Sequence, residues 1–223
     1  MIKKVHIVGT DHSVWTTFYE RNDWKVVDEI EDCDFICLTG GADINPALYG
    51  QVPHKTTRWY EGRDAYEVEA YRTARRLGKM VLGICRGAQL MNALEGGDMY
   101  QHVNHHHGHH KVYDFDTKEY KTVNSIHHQM MIPAKNAEVV AIARGQSDQR
   151  ELMGEGVDGN LVVRADLGVH DDPEVLVFFV EEEIPAGGGS FDRIYFGLGF
   201  QGHPEYGHPE TTAYFFELIE RYL

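Results

Sequence analysis

Cysteine is scarce in this chain of 223 residues, which contains only Cys33, Cys37 and Cys85. An odd count without the paired spacing of a disulfide framework excludes a small secreted scaffold held together by disulfides. We therefore expect free thiols and a cytoplasmic location.

Basic charge and long apolar runs are also lacking. Lys and Arg number 21 against 35 Asp and Glu, so the formal net charge is −14 with neutral histidines. An acidic surface repels phosphate groups, so we expect neither nucleic acid nor a membrane surface as a partner. No apolar run approaches the length of a transmembrane helix, and residues 1–10 lack the pattern of a signal peptide.

The first hundred residues alternate between strand and helix patterns. We predict buried strands at 5–9, 25–28, 34–39 and 79–84, and helices at 13–22, 64–77 and 86–94. This alternation is typical of a parallel sheet covered by helices on both faces, an α/β fold.

The second half has more strand character and ends in an amphipathic helix. We predict strands at 121–125, 138–143, 161–164, 175–182 and 193–200, a Gly-rich loop at 185–190 and a helix at 211–223. No internal repeat and no long linker interrupts the chain, so we predict a single domain over residues 1–223.

The strongest chemical motif is the run Gly83-Ile-Cys-Arg-Gly87, between a predicted strand and a predicted helix. A nucleophile between two glycines at such a junction forms a tight turn that exposes the side chain above the carboxyl end of the sheet. The positive end of the helix dipole beside Cys85 favours a thiolate. We therefore predict that Cys85 is a catalytic nucleophile.

A nucleophilic cysteine requires an oxyanion hole and a base. The backbone N–H of Arg86 supplies one donor, and the turn Thr39-Gly-Gly-Ala42 is placed to supply the second. The segment Gly199-Phe-Gln-Gly-His-Pro-Glu205 follows a predicted strand and offers His203 as the base and Glu205 as the group that orients it. Gly207-His-Pro-Glu210 repeats the motif and leaves His208 as an alternative, although only His203 stands directly after the strand.

These motifs together resemble the class I glutamine amidotransferase superfamily, and within it the hydrolases of γ-glutamyl-aminobutyrate in the peptidase C26 group. Three further segments carry the resemblance: Thr39 to Pro46 with Tyr49-Gly50, Gly62-Arg-Asp64, and Val123-Asn-Ser-Ile-His-His-Gln129. The resemblance implies a flavodoxin-like three-layer sandwich with a mostly parallel central sheet, a triad of Cys85, His203 and Glu205, and an oxyanion hole of Gly41 and Arg86. It also implies a substrate pocket that includes Gln89, Arg63, Asn124, Ser125, His127 and His128.

One position differs from the pattern of the family, and one pair of residues allows two roles. The family has Trp before the catalytic histidine, and this chain has Gly202, so the wall beside the base is absent or comes from elsewhere. Arg63 and Asp64 either bind the charged groups of a glutamyl substrate or only begin the helix that follows.

Residues 102–110 contain six of the fourteen histidines. Clustered imidazoles bind transition metals, but a built metal site also requires outer partners that fix the rings, and a flexible run rarely has them. We expect a solvated loop with adventitious metal binding, and no metal or cofactor in the catalytic site.

We therefore predict cysteine-dependent hydrolysis of a γ-glutamyl amide through a thioester, with a small γ-glutamyl amide or glutamine as substrate. The same triad would serve a glutaminase subunit that delivers ammonia to a separate synthase or ligase. A hypothesis from another class is a non-catalytic metal-binding or ligand-binding protein that retains the fold.

Overall fold

The computed structural model describes residues 2–155, 161–183 and 191–223. Its strands are β1 Lys4–Val8, β2 Lys25–Val26, β3 Phe35–Leu38, β4 Met80–Ile84, β5 Asp98–Tyr100, β6 His102–Val103, β7 Gly108–Asp114, β8 Glu119–Ser125, β9 Met130–Ile132, β10 Ala137–Glu155, β11 Leu161–Glu183 and β12 Phe191–Phe200. Its α-helices are α1 His12–Glu20, α2 Glu61–Arg76, α3 Arg86–Leu94 and α4 Pro209–Tyr222. The Gly-rich loop predicted at 185–190 lies outside the described residues.

Among the described residues, a ten-stranded sheet forms the centre, in the order β2-β1-β3-β4-β12-β11-β10-β7-β8, with β6 paired to β10. In this order, neighbouring strands pair in parallel over β2-β1-β3-β4-β12. Over β12-β11-β10-β7-β8 the neighbours are antiparallel. β5 and β9 form a separate antiparallel pair.

Helices cover both faces of the parallel strands, because each helix has one apolar face to bury. On one face Trp15, Phe18 and Tyr19 of α1 pack with Phe215 and Leu218 of α4. On the other face α2 and α3 pack against the sheet through Ala70, Tyr71, Leu90 and Met91. The predicted three-layer α/β fold of flavodoxin-like type is confirmed.

The sheet order brings three loops together. β4 lies between β3 and β12, and all three strands run in the same direction. The segments that follow them therefore leave the sheet at the same edge, which is where open α/β sheets bind ligands. Those segments begin at Thr39, Cys85 and Gln201.

Among the described residues, no helix is both long enough and apolar enough to cross a bilayer.

Candidate active site

Cys85 stands in a strained turn between β4 and α3. Its φ of 48° and ψ of −105° are outside the regions that non-glycine residues normally adopt, and the thiol is buried. The Cys85 N–H donates to Phe200 O at 2.7 Å, which ties the turn to the end of β12. A Cβ at Gly87 would lie 2.1 Å from Leu38 O, so a larger residue cannot occupy this position without moving β3. The structure thus explains the second glycine of the motif by close packing.

His203 follows β12 and lies beside Cys85. An added Cβ on Gly40 would be 2.9 Å from His203 Cε1 and 3.8 Å from Cys85 Cβ, so both side chains adjoin the same glycine. The Nδ1 of His203 hydrogen bonds with Glu205 Oε1 at 2.7 Å. Its Nε2 is buried and has no hydrogen bond within the described part of the chain.

The surroundings of His203 favour the protonated ring. Burial by itself lowers the pKa of His203, but the approach of Cys85 and the hydrogen bond with Glu205 outweigh burial and raise the pKa to about 10. A histidine held as an imidazolium beside a thiol can protonate a leaving group after the sulfur attacks.

The structure separates the two copies of the Gly-His-Pro-Glu motif. His208 is the residue before α4, where its Nδ1 accepts a hydrogen bond from Thr211 N at 3.3 Å. Its ring packs on His109, with centroids 4.4 Å apart. His208 therefore has a capping position, and only His203 of the two reaches Cys85.

Tyr206 forms the wall beside His203 that sequence reasoning could not locate. The two rings are stacked, with centroids 5.0 Å apart and an interplanar angle of 6°. Gly202 leaves no space for an aromatic residue before the histidine, because its Cβ would lie 2.8 Å from Phe200 Cε1 and 3.1 Å from Asn124 O. The wall thus comes from the residue three positions after His203.

Asn124 holds the backbone of His203 in place. Asn124 Nδ2 donates to His203 O at 2.7 Å, and His203 N donates to Asn124 Oδ1 at 2.7 Å. The neighbouring Ser125 hydroxyl donates to His106 O at 2.9 Å. The structure therefore places these two predicted substrate residues behind the base, outside the cavity that contains Cys85.

Arg63 supports the loop after β3. Its Nη2 donates to Gly40 O at 2.8 Å and to Thr39 O at 3.2 Å, and its Nε donates to Glu67 Oε1 at 2.6 Å. A Cβ on Gly41, whose φ is +145°, would lie 2.1 Å from Arg63 Nη1. With its guanidinium engaged in this way, Arg63 fixes the shape of the loop that carries Gly41.

The Arg86 side chain extends this support beneath the turn. The guanidinium is buried and forms ion pairs with Asp64 and Glu67 of α2. Glu67 also binds Arg63, so one carboxylate links the loop after β3 to the turn of Cys85. Because Arg86 is the first residue of α3, its backbone N–H has no intrahelical acceptor and is available to an oxyanion.

A cavity of about 480 Å³ contains the reactive groups. Seven residues singled out from the sequence line it: Gly41, Cys85, Gln89, His127, His128, His203 and Glu205. Arg63, Arg86, Asn124 and Ser125 stand outside its lining and act on it through their contacts.

The cavity also has an acidic side that sequence reasoning missed. Asp11 and Asp43 line it, and His128 Nε2 lies 3.1 Å from Asp43 Oδ1. Gln89 Nε2 donates to Gln129 O at 3.5 Å, at the back of the same cavity. Asp43 was detectable in principle, since it is the second residue after the Gly-Gly turn, whereas Asp11 follows a different strand.

The prediction of a solvated loop at 102–110 is wrong for part of the run. β6 and β7 occupy much of it, and His106 is fully buried while His105, His107 and His109 are exposed. The burial of His106 follows from its contacts with Asp172 and Glu174 on β11.

Comparison with known proteins found similar sequences over the first part of the chain. The Peptidase C26 family model matches residues 16–120, which include the loop after β3 and the turn of Cys85 but end before His203. The "Putative glutamine amidotransferase Rv2859c" of Mycobacterium tuberculosis is 48% identical over 69 residues, which are 30% of this chain and 22% of that protein. In the five curated relatives, the segment that matches this chain covers between 22% and 38% of the relative's own length.

Solved structures resemble the chain over its whole length. A glutamine amidotransferase from Thermotoga maritima has a TM-score of 0.58 at 14% identity, covering 99% of this chain and 85% of that one. A "putative gmp synthase subunit a protein" from Thermoplasma acidophilum also has a TM-score of 0.58, at 15% identity, covering 100% and 96%. At such identities the likeness concerns the fold alone.

Proposed function

We propose that this chain, which resembles the class I glutamine amidotransferase-like superfamily in sequence and fold, hydrolyses a γ-glutamyl amide through a thioester on Cys85. One observation carries the proposal. Cys85 stands in a strained turn beside His203, and the far nitrogen of His203 is held by Glu205 at 2.7 Å.

In the first half of the proposed reaction, the Cys85 thiolate attacks the γ-carbonyl carbon. The carbonyl oxygen becomes an oxyanion, which the N–H groups of Gly41 and Arg86 stabilise. When the oxyanion collapses, the C–N bond breaks and the His203 imidazolium gives its proton to the departing nitrogen. The products are a free amine, or ammonia from glutamine, and a γ-glutamyl thioester.

Water completes the reaction. His203, now neutral, removes a proton from a water molecule that attacks the thioester carbon, and the C–S bond breaks to release glutamate and the thiolate. Glu205 keeps the same ring nitrogen engaged in both halves, so the ring does not need to turn between accepting and donating a proton. Tyr206 restricts the ring further by stacking.

The form of the cavity supports a small charged substrate. Its volume of about 480 Å³ is within the usual range for small-molecule sites. Asp11 and Asp43 provide negative charge for an α-ammonium group, and His128 beside Asp43 offers a donor for an α-carboxylate. A glutamyl group carries both of these charges next to the amide that would be cut.

The test of this proposal is Cys85→Ala with amine release as the readout. We expect turnover to fall by at least about 10⁴-fold, because loss of a covalent nucleophile removes the acylation route. Cys33→Ala is the matched control, since it removes a buried thiol that lies outside the cavity. Retained turnover in Cys85→Ala would contradict the proposal.

A second measurement links the nucleophile to the substrate. A glutamine-like electrophile should add to Cys85 alone, as detected by mass spectrometry of the intact chain and its peptides. Glutamine and a series of γ-glutamyl amides should slow this labelling in proportion to their affinity. An unreactive Cys85 would instead favour the non-catalytic hypothesis.

A glutaminase subunit is the second candidate, and the mouth of the cavity favours it. Val14, Ile126 and Tyr206 line the cavity and are 43%, 50% and 62% exposed. Exposed apolar groups around a site mark a surface that another protein can cover. If this candidate is right, the isolated chain should release little ammonia from glutamine, and a copurifying synthase or ligase should increase the rate.

A further inference from the structure

A group of buried side chains beside the cavity, of which only His127 lines it, takes no part in the chemistry proposed for Cys85. His106, His110 and His127 surround Glu174 of β11, and the side chains of His106, His127 and Glu174 are each at most 1% exposed. We call these four residues the inner histidine cluster. The sequence run at 102–110 supplies two of the histidines, and the segment after β8 supplies the third.

Three imidazole nitrogens in the cluster meet one carboxylate oxygen. Glu174 Oε1 lies 3.1 Å from His106 Nδ1, 3.3 Å from His110 Nε2 and 3.4 Å from His127 Nε2. Within the described ranges, none of these four atoms has a hydrogen-bonding partner. Buried polar atoms without hydrogen bonds are costly, so the arrangement calls for a ligand that satisfies all of them.

We propose that the inner histidine cluster binds a divalent transition-metal ion, with Zn²⁺ as the best fit. Zn²⁺ takes four ligands in a tetrahedron at about 2.0–2.2 Å, which places neighbouring ligand atoms about 3.3–3.6 Å apart. The separations of 3.1 Å and 3.3 Å from Glu174 Oε1 to His106 Nδ1 and His110 Nε2 are close to that edge length. The ligand atoms of His106, His110 and Glu174 all lie within 4.8 Å of one another.

Outer contacts fix two of the rings in the orientation that a metal requires. His106 Nε2 hydrogen bonds with Asp172 Oδ2 at 2.9 Å, and His127 Nδ1 hydrogen bonds with Gln129 O at 3.0 Å. Each contact uses the nitrogen that faces away from Glu174 and leaves the other nitrogen for a metal. A carboxylate or carbonyl behind a ligating histidine is the usual outer shell of protein metal sites.

A proton on His106 is the competing explanation. With protons on both ring nitrogens, His106 would donate to Asp172 through Nε2 and to Glu174 through Nδ1, and would offset part of the charge of these carboxylates. The atoms His110 Nε2 and His127 Nε2 would still meet the same oxygen without hydrogen bonds. A metal ion held by His106, His110 and Glu174, whose ligand atoms lie within 4.8 Å of one another, would satisfy two of the nitrogens and the carboxylate together, and His127 Nε2 adjoins the same carboxylate oxygen.

The cluster is connected to the catalytic residues through the backbone. Gln201 N donates to Glu174 O at 2.9 Å, two residues before His203. His127 also lines the cavity that contains Cys85. A metal ion here would brace β11, the segment 126–129 and the approach to His203, and would position the catalytic groups without contacting the reacting atoms.

The test uses untagged, full-length protein purified without nickel affinity, treated with a chelator and titrated with zinc sulfate alone. In competition with a chromophoric chelator, we expect one equivalent of Zn²⁺ per chain and a higher melting temperature when zinc is bound. Bound Co²⁺ should give the intense visible absorption of a four-coordinate site.

Matched variants separate the cluster from the exposed histidines. His110→Gln and Glu174→Gln should each weaken Zn²⁺ binding by at least about tenfold and abolish the intense Co²⁺ absorption. A triple variant with His105→Gln, His107→Gln and His109→Gln, all exposed in the same run, should retain the full equivalent. If Glu174→Gln fails to fold, His110→Gln gives the same readout at a less buried position.

Two results would overturn the proposal. One is the absence of stoichiometric binding in the wild type, with six-coordinate Co²⁺ spectra that indicate an adventitious ion only. The other is an equal loss of binding in the exposed triple variant, which would assign the metal to the surface of the run.

Discussion

The catalytic residues and the inner histidine cluster both combine imidazole with a buried glutamate, but they divide the contacts differently. In the first, His203 binds Glu205 through one nitrogen and faces a thiol with the rest of its ring. In the second, three imidazoles converge on Glu174, and His106 also binds Asp172 with its other nitrogen. A ring with one fixed nitrogen can exchange a proton at the other, whereas rings fixed around one oxygen can hold an ion.

The largest expected effect within this comparison comes from Glu205→Gln. The amide keeps the size of the side chain but removes the charge that supports the imidazolium, so we expect turnover to fall by about 10²- to 10⁴-fold. Loss of that charge also lowers the pKa of His203. The alkaline limit of activity, expected near the wild-type His203 pKa of about 10, should therefore move to lower pH.

The control for this change is Glu210→Gln in the repeated motif, which lies outside the cavity lining.

Stability offers an independent readout, because the pKa of His203 is raised from 6.5 to about 10 on folding. The proton on His203 stabilises the fold fully below pH 6.5, and this contribution is lost as the pH rises towards 10. Melting temperatures should therefore fall between pH 7 and 10 more steeply in the wild type than in Glu205→Gln; equal slopes would argue against the pairing.

An intermediate effect is expected from Asp172→Asn, which alters the outer contact of His106. The amide can present its N–H towards the ring and no longer provides a negative charge, so zinc affinity should fall by about 10- to 100-fold in the chelator competition. Asp171→Asn is the neighbouring control, since Asp171 accepts from Gly145 N and has no contact with the cluster. Unchanged zinc affinity in Asp172→Asn would mean that the ring orientation does not depend on the carboxylate.

The smallest effect should come from Tyr206, which stacks on His203. Aromatic stacking contributes about 0.5–1.5 kcal/mol, so Tyr206→Ala should reduce turnover by about 2- to 13-fold. Tyr206→Phe retains the ring and should retain the rate, as measured by steady-state amine release. A loss in Tyr206→Phe equal to that in Tyr206→Ala would assign the effect to the hydroxyl.

Sequence reasoning succeeded where a property is local. Short apolar runs located β1, β3 and β4, and the spacing of apolar residues located the helices α1 to α4, to within a few residues. The placement of Cys85 between a strand and a helix required only its immediate neighbours. His203 was preferred to His208 because it directly follows β12, and the structure places it beside the cysteine.

The inner histidine cluster could not be predicted because its members meet only through the sheet order. Glu174 is far from His106 in the sequence, and they become neighbours when β11 is placed near the middle of the sheet. The run itself does not distinguish His106, because buried His106 stands between exposed His105 and His107 of the same residue type. The role of Arg63 was equally hidden, because its contacts with Thr39 and Gly40 depend on how α2 packs.

Gly202 has a consequence for how chains of this kind evolve and how they are found. Because Phe200 and Asn124 O lie against the missing side chain, a large aromatic residue at position 202 would require several simultaneous changes, and Tyr206 supplies the aromatic wall in this exchange. A motif search that demands a bulky residue before the histidine will therefore pass over any relative with the same exchange. A pattern that allows glycine there, with an aromatic residue three positions after the histidine, would recover them.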